Sequence, residues 1–346
     1  MTASAQVDEQ DRTTATRPDQ DGTRHPWLPD APADSRTAHR DRTDVDATAI
    51  KAAEALGATV SRVSPALGAD VVGVDLATLG PAGLDLVADL LLAHQVLFFP
   101  GQHLDVDRHV AIGRHFGPLA QHPNLTNPFT DHDELFELAA STGGIADEWH
   151  TDLTFLAEPA VLSVLNMVQC PDLGGDTMWS NLELAYATLS APLRDLVDGL
   201  TALHDAQPHG RPEQATIHPV VRHHPETGRP ALYVSEHFTR RIVELSPAES
   251  DLLLGHLTRW VQDPRFTVRR RWTPGTIAMW DNRCTQHYVL NDFVGERIIQ
   301  RVTVMGDQPR GLAPRWQPWA PARGAASRHD WAVQRQLRTR EADPIG

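Results

Sequence analysis

The period of the apolar positions changes along the chain, and each change marks an expected element. Up to Asp46 there is almost no pattern. Asp, Arg, Thr, Ala and Pro dominate, and Trp27 is the one aromatic residue. Such a segment cannot bury enough apolar surface to offset its ordering entropy, so residues 1–46 read as a disordered, solvated tail. Order is expected near Thr59, where Val60, Val63, Val71, Val72, Val74 and Leu76 predict short strands broken by Pro65, Gly68 and Gly73. Pro81 fits the first turn of a helix whose apolar stripe is Leu84, Val87, Leu90 and Leu91. The run from Gln95 to Pro100 reads as a buried strand, and Asp105 as the cap of a helix through Val110 and Ile112 to about Phe116.

From about Ala160 the period becomes two. Val161, Ser163, Leu165, Met167 and Gln169 form one face, with Leu162, Val164, Asn166 and Val168 opposite. Further strands are expected at Thr177–Ser180, Pro219–His223, Ala231–Ser235, Phe266–Arg271, Thr276–Trp280 and Ile298–Met305. Turn signals separate them at Leu173–Asp176, Pro225–Gly228 and Thr273–Gly275. Many short strands with Gly/Pro punctuation predict a β-sandwich or barrel. Two helices interrupt it, near Leu182–Leu200 and Pro247–Val261. Ser246 with Glu249 forms a capping box for the second, and Leu252, Leu253, His256, Leu257 and Trp260 are its expected buried face. No internal repeat is found. One domain is expected over 47–310, and the Pro/Arg/Ala-rich 311–346 as a peripheral extension.

Composition narrows the function classes. With 346 residues, 41% of them apolar, the chain is long enough for a sizeable core. It has no apolar run of spanning length and no apolar leader, so neither a membrane span nor a secretory signal is expected. Cys170 and Cys284 give no disulfide framework and no zinc spacing, which fits the cytoplasm. A net charge of −14 argues against a general nucleic-acid binder.

Candidate chemistry begins with histidine, but the chain has 18 of them, so a lone one says little. The segment Glu148-Trp-His-Thr-Asp152 stands out. His150 and Asp152 are two apart, and on an extended segment they share a face, so an imidazole and a carboxylate can grip one ion. A distant second His would complete a facial triad, the arrangement that leaves positions open on non-haem Fe(II). His287, after the strand-like run to Trp280, is the best third ligand. Arg297 and Arg301 share one face of the apolar strand that follows. Buried guanidiniums need anionic partners, either structural carboxylates or a bound carboxylate or sulfonate held by two parallel hydrogen bonds.

Taken together, His150-Thr-Asp152, Gly174-Gly-Asp-Thr177, Trp280-Asp-Asn-Arg283, Thr285-Gln-His287, Arg297 and Arg301 closely resemble the taurine/α-ketoglutarate (TauD/TfdA) dioxygenase family. The runs His94–Phe99, Phe116–Leu119, His218–Arg222 and Phe238–Val243 extend the resemblance from about Val60 to Gln308. It implies a double-stranded β-helix, or cupin-like jelly roll, with flanking helices. It implies Fe(II) on His150, Asp152 and His287, and 2-oxoglutarate with its distal carboxylate on Arg297 and Thr177. It implies a substrate anion on His122 and Arg301, and a pocket lined by Leu153, Phe155 and Phe238. The reaction it implies consumes 2-oxoglutarate and O₂, gives succinate and CO₂, and hydroxylates a C–H of a small organic anion. Relatives are often dimers or tetramers, so a homo-oligomer is expected. The alternatives are an idle jelly roll that binds a metabolite, or the same chemistry on a pathway-specific amino-acid or carboxylate substrate.

Three positions depart from the taurine-specific pattern. Leu125, Ala146 and Ala206 stand where those members carry Tyr, Asn and Phe. The segment between Asp205 and His218 is also shorter than the lid of relatives. A larger or more apolar anion than taurine is therefore expected: an alkylsulfate, a sulfonate or a carboxylate.

Overall fold

The computed structural model describes residues 43–121, 132–142, 146–320 and 328–342. In chain order its elements are α1 (Thr43–Leu56), β1 (Thr59–Arg62), β2 (Ala69–Val72), α2 (Pro81–His94), β3 (Val96–Phe99), α3 (Val106–Phe116), β4 (Leu135–Ala139), β5 (Ala160–Gln169), β6 (Thr177–Asn181), α4 (Leu182–Ala187), α5 (Ala191–Val197), β7 (Thr201–Ala206) and β8 (Arg211–Pro219). They continue with β9 (Val221–His223), β10 (Pro230–Leu232), β11 (Thr239–Ile242), α6 (Pro247–Trp260), β12 (Thr267–Arg270), β13 (Thr276–Asp281), β14 (Thr285–Val289), β15 (Ile298–Met305) and α7 (Arg328–Ala342).

Strand β5 shows why the sequence builds a layered fold. Both of its faces are apolar, and each belongs to a different core. Leu162 and Val164 pack with Leu84, Val87 and Leu90 of α2 and with Val110 and Ile112 of α3. Leu165 and Met167 point the other way, into a core with Trp179, Phe266 and Trp280. The same division runs along β3, β13 and β15, because side chains alternate across a strand. Leu97, Phe99, Ile277, Met279, Val302 and Val304 face the helices, while Val96, Phe98, Ala278, Trp280 and Ile299 face the interior.

These strands form a seven-stranded sheet in the order β1-β2-β3-β13-β5-β15-β4. Among the described residues, three smaller sheets, β12-β6-β14, β11-β7-β8 and β10-β9, complete the strand set. Trp179 of β6 joins the layers, with its ring 5.3 Å from Phe98 and 5.8 Å from Trp280. Non-sequential, mainly antiparallel neighbours of this kind make a double-stranded β-helix, the expected jelly roll.

Several expected elements differ in detail. Helix α1 precedes Thr59, where order was expected to begin, and packs Ala49 and Ala52 beneath α2. The single helix expected over Leu182–Leu200 is two, α4 and α5. Thr188 turns its hydroxyl back onto Leu184 O at 2.8 Å, Ser190 is extended, and Pro192 lies in the new first turn without a proton to donate. Helix α6 has its capping box, but its buried line runs through Ser250, Leu253 and Leu257. Leu252 is 76% exposed and His256 is also exposed, so the expected face is partly reversed. Ser250 decides the rotation: its hydroxyl oxygen accepts from Ile242 N of β11 at 2.8 Å. In the C-terminal stretch, Val333 of α7 packs on Leu203 and Ile217, and Asp330 pairs with Arg241. Most of the expected tail, 1–42, lies outside the described residues. Among the described residues no helix is long and apolar enough to cross a membrane.

Candidate active site

His150 and His287 face each other across a two-residue antiparallel bridge. His150 N donates to His287 O at 3.1 Å and His287 N donates to His150 O at 2.8 Å. Directly opposed residues project to the same face, which brings their rings to 4.1 Å. Trp149 takes the other face beside Tyr288, 5.6 Å away.

Asp152 reaches the same point by a turn rather than by strand period. The extended segment ends at His150, Thr151 donates its hydroxyl to Thr285 O at 2.8 Å, and Leu153 takes a left-handed φ of 58°. That backbone is costly for a branched residue and is imposed by the surroundings of the site. The outcome is that Asp152 Oδ1 lies 3.8 Å from His150 Nε2 and 3.9 Å from His287 Nε2. All three ligand atoms lie within 4.8 Å of one another, and all three residues are buried.

The electrostatics suit a cation. Burial pushes His150 down to about 4 and His287 well below its usual value, so both imidazoles are neutral at pH 7. His150 Nδ1 donates to Glu148 O at 2.7 Å, which leaves Nε2 as the bare nitrogen toward Asp152. Burial opposes the Asp152 carboxylate, but the Arg301 guanidinium, helped by the Ser163 hydrogen bond, outweighs it and holds its pKa well below the usual range. Two neutral nitrogens and one carboxylate oxygen, dry and convergent, are the donor set of a facial triad, and Fe(II) fits it.

Around the triad, Arg301 lies on β15 and Arg297 immediately precedes that strand. Arg297 is 6% exposed, and it donates to Gly175 O at 3.0 Å and to Thr177 Oγ1 at 3.3 Å. Both acceptors are neutral, and among the described residues no carboxylate forms an ion pair with Arg297. Burial lowers its pKa to about 10. Thr177 Oγ1 also accepts from Trp272 Nε1 at 2.9 Å, so its own proton is free for another acceptor. Gly175 makes room: with φ of 68°, a side chain there would meet Arg297 Cδ at 3.3 Å.

Arg301 does have a carboxylate partner, Asp152 itself, at 3.0 Å, and its guanidinium lies 4.4 Å over the Phe136 ring. An apolar wall stands nearby. Phe155 and Phe238 meet edge to face at 5.3 Å and form one cluster with Ala206, and Leu153 and Leu156 pack against it. The Phe238 ring is 6.2 Å from the His150 ring. His122 and Leu125 lie outside the described residues, and Ala146 is half-buried, its carbonyl bound by Val289 N.

Four contributors escaped the sequence reading. His209 packs its ring 5.4 Å from Phe155 and 5.5 Å from Phe238, and His237 lies 5.5 Å from His150. Ser163 and Asn282 lie against Asp152. Only Asn282, inside Trp280–Arg283, carried any signal. A second buried group, His224, Asp281 and Cys284, has metal-like spacing but no free donor set. His224 Nδ1 accepts from two backbone amides, its Nε2 donates to Asp281 at 3.0 Å, and Arg283 holds both Asp281 oxygens at 2.9 and 2.7 Å.

Comparison with known proteins agrees with this geometry. The profile of the family described as "Taurine catabolism dioxygenase TauD, TfdA family" matches residues 59–303. The chain belongs to that family. It is 36% identical over 269 residues to an alkylsulfatase of Acinetobacter baylyi, covering 71% of this chain and 84% of that protein. It is 37% identical over 295 residues to an alpha-ketoglutarate-dependent sulfate ester dioxygenase of Pseudomonas putida, covering 77% and 96%. The crystal structure of a taurine dioxygenase from Burkholderia xenovorans superposes with a TM-score of 0.68 at 38% identity, covering 81% of this chain and 99% of that one. The protein is therefore a 2-oxoglutarate-dependent non-haem iron dioxygenase, an oxidoreductase that uses Fe(II), 2-oxoglutarate and O₂.

Proposed function

We propose that this dioxygenase hydroxylates alkyl sulfate esters, with His150, Asp152 and His287 holding Fe(II). Bound there, the metal supplies the coupling of 2-oxoglutarate decarboxylation to C–H hydroxylation. The chain's own residues bind, orient and exclude water. Arg297 and Thr177 hold the distal carboxylate of 2-oxoglutarate: the guanidinium offers two donors and Thr177 its free proton. The observation that carries this role is the Arg297 charge, buried among neutral acceptors only.

Arg301 is the anion anchor for the substrate, and Phe155, Phe238, Leu153 and Ala206 form the wall for its carbon chain. A sulfate head and an alkyl tail satisfy both halves of that pocket, and the two relatives named for sulfate ester chemistry support the choice. His122 is assigned to the same anion on family pattern. Hydroxylating the carbon that bears the ester oxygen gives RCH(OH)OSO₃⁻, which loses hydrogen sulfate as the C–O bond breaks and leaves an aldehyde.

A comparison of steady-state kinetics tests the division of roles. Arg297→Ala should raise the 2-oxoglutarate KM far more than the alkylsulfate KM, and Arg301→Ala the reverse. Equal effects on both constants contradict the assignment.

A further inference from the structure

Ser163 is the one hydroxyl on the inner face of β5 between Val161 and Leu165, and it is fully buried. Its partners form a hydrogen-bond chain whose direction is fixed. Trp280 Nε1 donates to Asn282 Oδ1 at 3.1 Å, and Asp152 N approaches the same oxygen at 3.4 Å. Both groups can only donate, so the oxygen of the Asn282 amide must face them. Its nitrogen then faces Ser163 and donates to Oγ at 2.9 Å. Ser163 has accepted, and its own proton goes to Asp152 Oδ2 at 2.7 Å.

That chain singles out one carboxylate oxygen. Oδ2 is engaged by Ser163, while Oδ1 is the oxygen that faces Nε2 of His150 and of His287. Arg301 also meets this carboxylate, 3.0 Å from Oδ1 and 3.3 Å from Oδ2, through a long side chain that a bound anion could draw away. The buried relay cannot leave. β13 pairs Trp280 directly with Ser163, and Asn282 N is tied to Val161 O at 2.9 Å.

We propose that Ser163 and Asn282 are positioning residues that lock Asp152 as a one-oxygen ligand and so set the affinity of the site for iron. A carboxylate free to turn would offer both oxygens and occupy a position that 2-oxoglutarate or O₂ needs. The proposal rests on the assignment of iron to His150, Asp152 and His287.

Anaerobic Fe(II) titration of the full chain tests it, with the ratio of 2-oxoglutarate consumed to substrate hydroxylated as a second readout. Ser163→Ala and Asn282→Ala should each weaken Fe(II) binding by about 10- to 100-fold, the usual cost of removing a partner of a metal ligand. The double variant should bind no worse than the weaker single one, because both break one chain. Ser163→Thr, which keeps the hydroxyl, should bind iron within about threefold of wild type on the same principle. A purely structural role would lower Tm and leave the Fe(II) Kd and the ratio unchanged, and that result overturns the proposal. If Ser163→Ala does not fold, Ser163→Cys, similar in shape and a weaker donor, takes its place. Asp152→Ala separates the two levels: iron binding that survives it refutes the triad, whereas loss there with wild-type binding in Ser163→Ala refutes the relay alone.

Discussion

Replacing Arg297 with Met removes a charge that the ligand-free fold holds at a cost. Its pKa stands at about 10 instead of 12.5. At ~1.4 kcal/mol per pKa step, burial therefore costs about 3 kcal/mol. Against this, Met leaves Gly175 O without its donor, a loss of about 1–3 kcal/mol. The two nearly cancel, so Arg297→Met should change ligand-free stability by no more than about 2 kcal/mol. Arg283 makes the contrast. It grips both oxygens of the buried Asp281 and also Glu226, and Arg283→Met takes the counter-charge from a buried carboxylate that keeps its His224 hydrogen bond, at about 3–5 kcal/mol. At ~2 °C per kcal/mol for a chain of this size, calorimetry should show Arg283→Met melting about 6–10 °C lower and Arg297→Met close to wild type. A ligand at 100 times its Kd stabilises by about 2.7 kcal/mol, so 2-oxoglutarate with metal should raise the wild-type Tm by about 5 °C and leave Arg297→Met unmoved. An Arg297→Met that falls as far as Arg283→Met, or that keeps the full shift with 2-oxoglutarate, would show that Arg297 is a structural cation and not a ligand anchor.

Other consequences follow from single residues. His109 of α3 is buried with its Nε2 bound to Val164 O, and burial pulls its pKa down to about 4 from 6.5. Below pH 6.5 the unfolded chain takes a proton that the folded one refuses, so stability falls from pH 6.5 toward pH 4, by up to about 3 kcal/mol. His109→Gln should flatten the Tm profile in that window, and an unchanged slope counts against this origin. Leu257→Ala should cost about 2–5 kcal/mol in urea unfolding and Leu252→Ala less than about 0.5, which separates the observed face of α6 from the expected one. Ser246→Ala opens the capping box, where Ser246 and Glu249 bind each other, and should cost about 1 kcal/mol by the same assay.

The triad was legible because His150 and Asp152 lie close in sequence and His287 follows a strongly patterned strand. Arg297 and Arg301 were legible because charges on the inner face of an apolar strand break its alternation. Strand β15 and helix α3 were legible in both type and extent, since strict periodicity and an Asp105 cap mark them locally. The split between α4 and α5 turns on one hydroxyl folding back at Thr188, which competes with helix continuation by only a small margin. The rotation of α6 was set by Ser250 reaching β11, a tertiary bond with no trace in the helix's own pattern. Ser163 and His209 were invisible for the same reason: each acquires its role from tertiary partners outside its own strand or turn, Asp152 and Asn282 for one, Phe155 and Phe238 for the other.

Product stoichiometry decides whether the enzyme opens alkyl sulfate esters. Iron-loaded protein is given 2-oxoglutarate, O₂ and a medium-chain alkylsulfate, and succinate, sulfate and aldehyde are counted, with taurine, aryl sulfonates and phenoxyacetates as parallel substrates. The alkylsulfate should give equal amounts of all three products, and the Asp152→Ala variant none. Slow succinate formation that no alkylsulfate accelerates, with no sulfate released, contradicts this function.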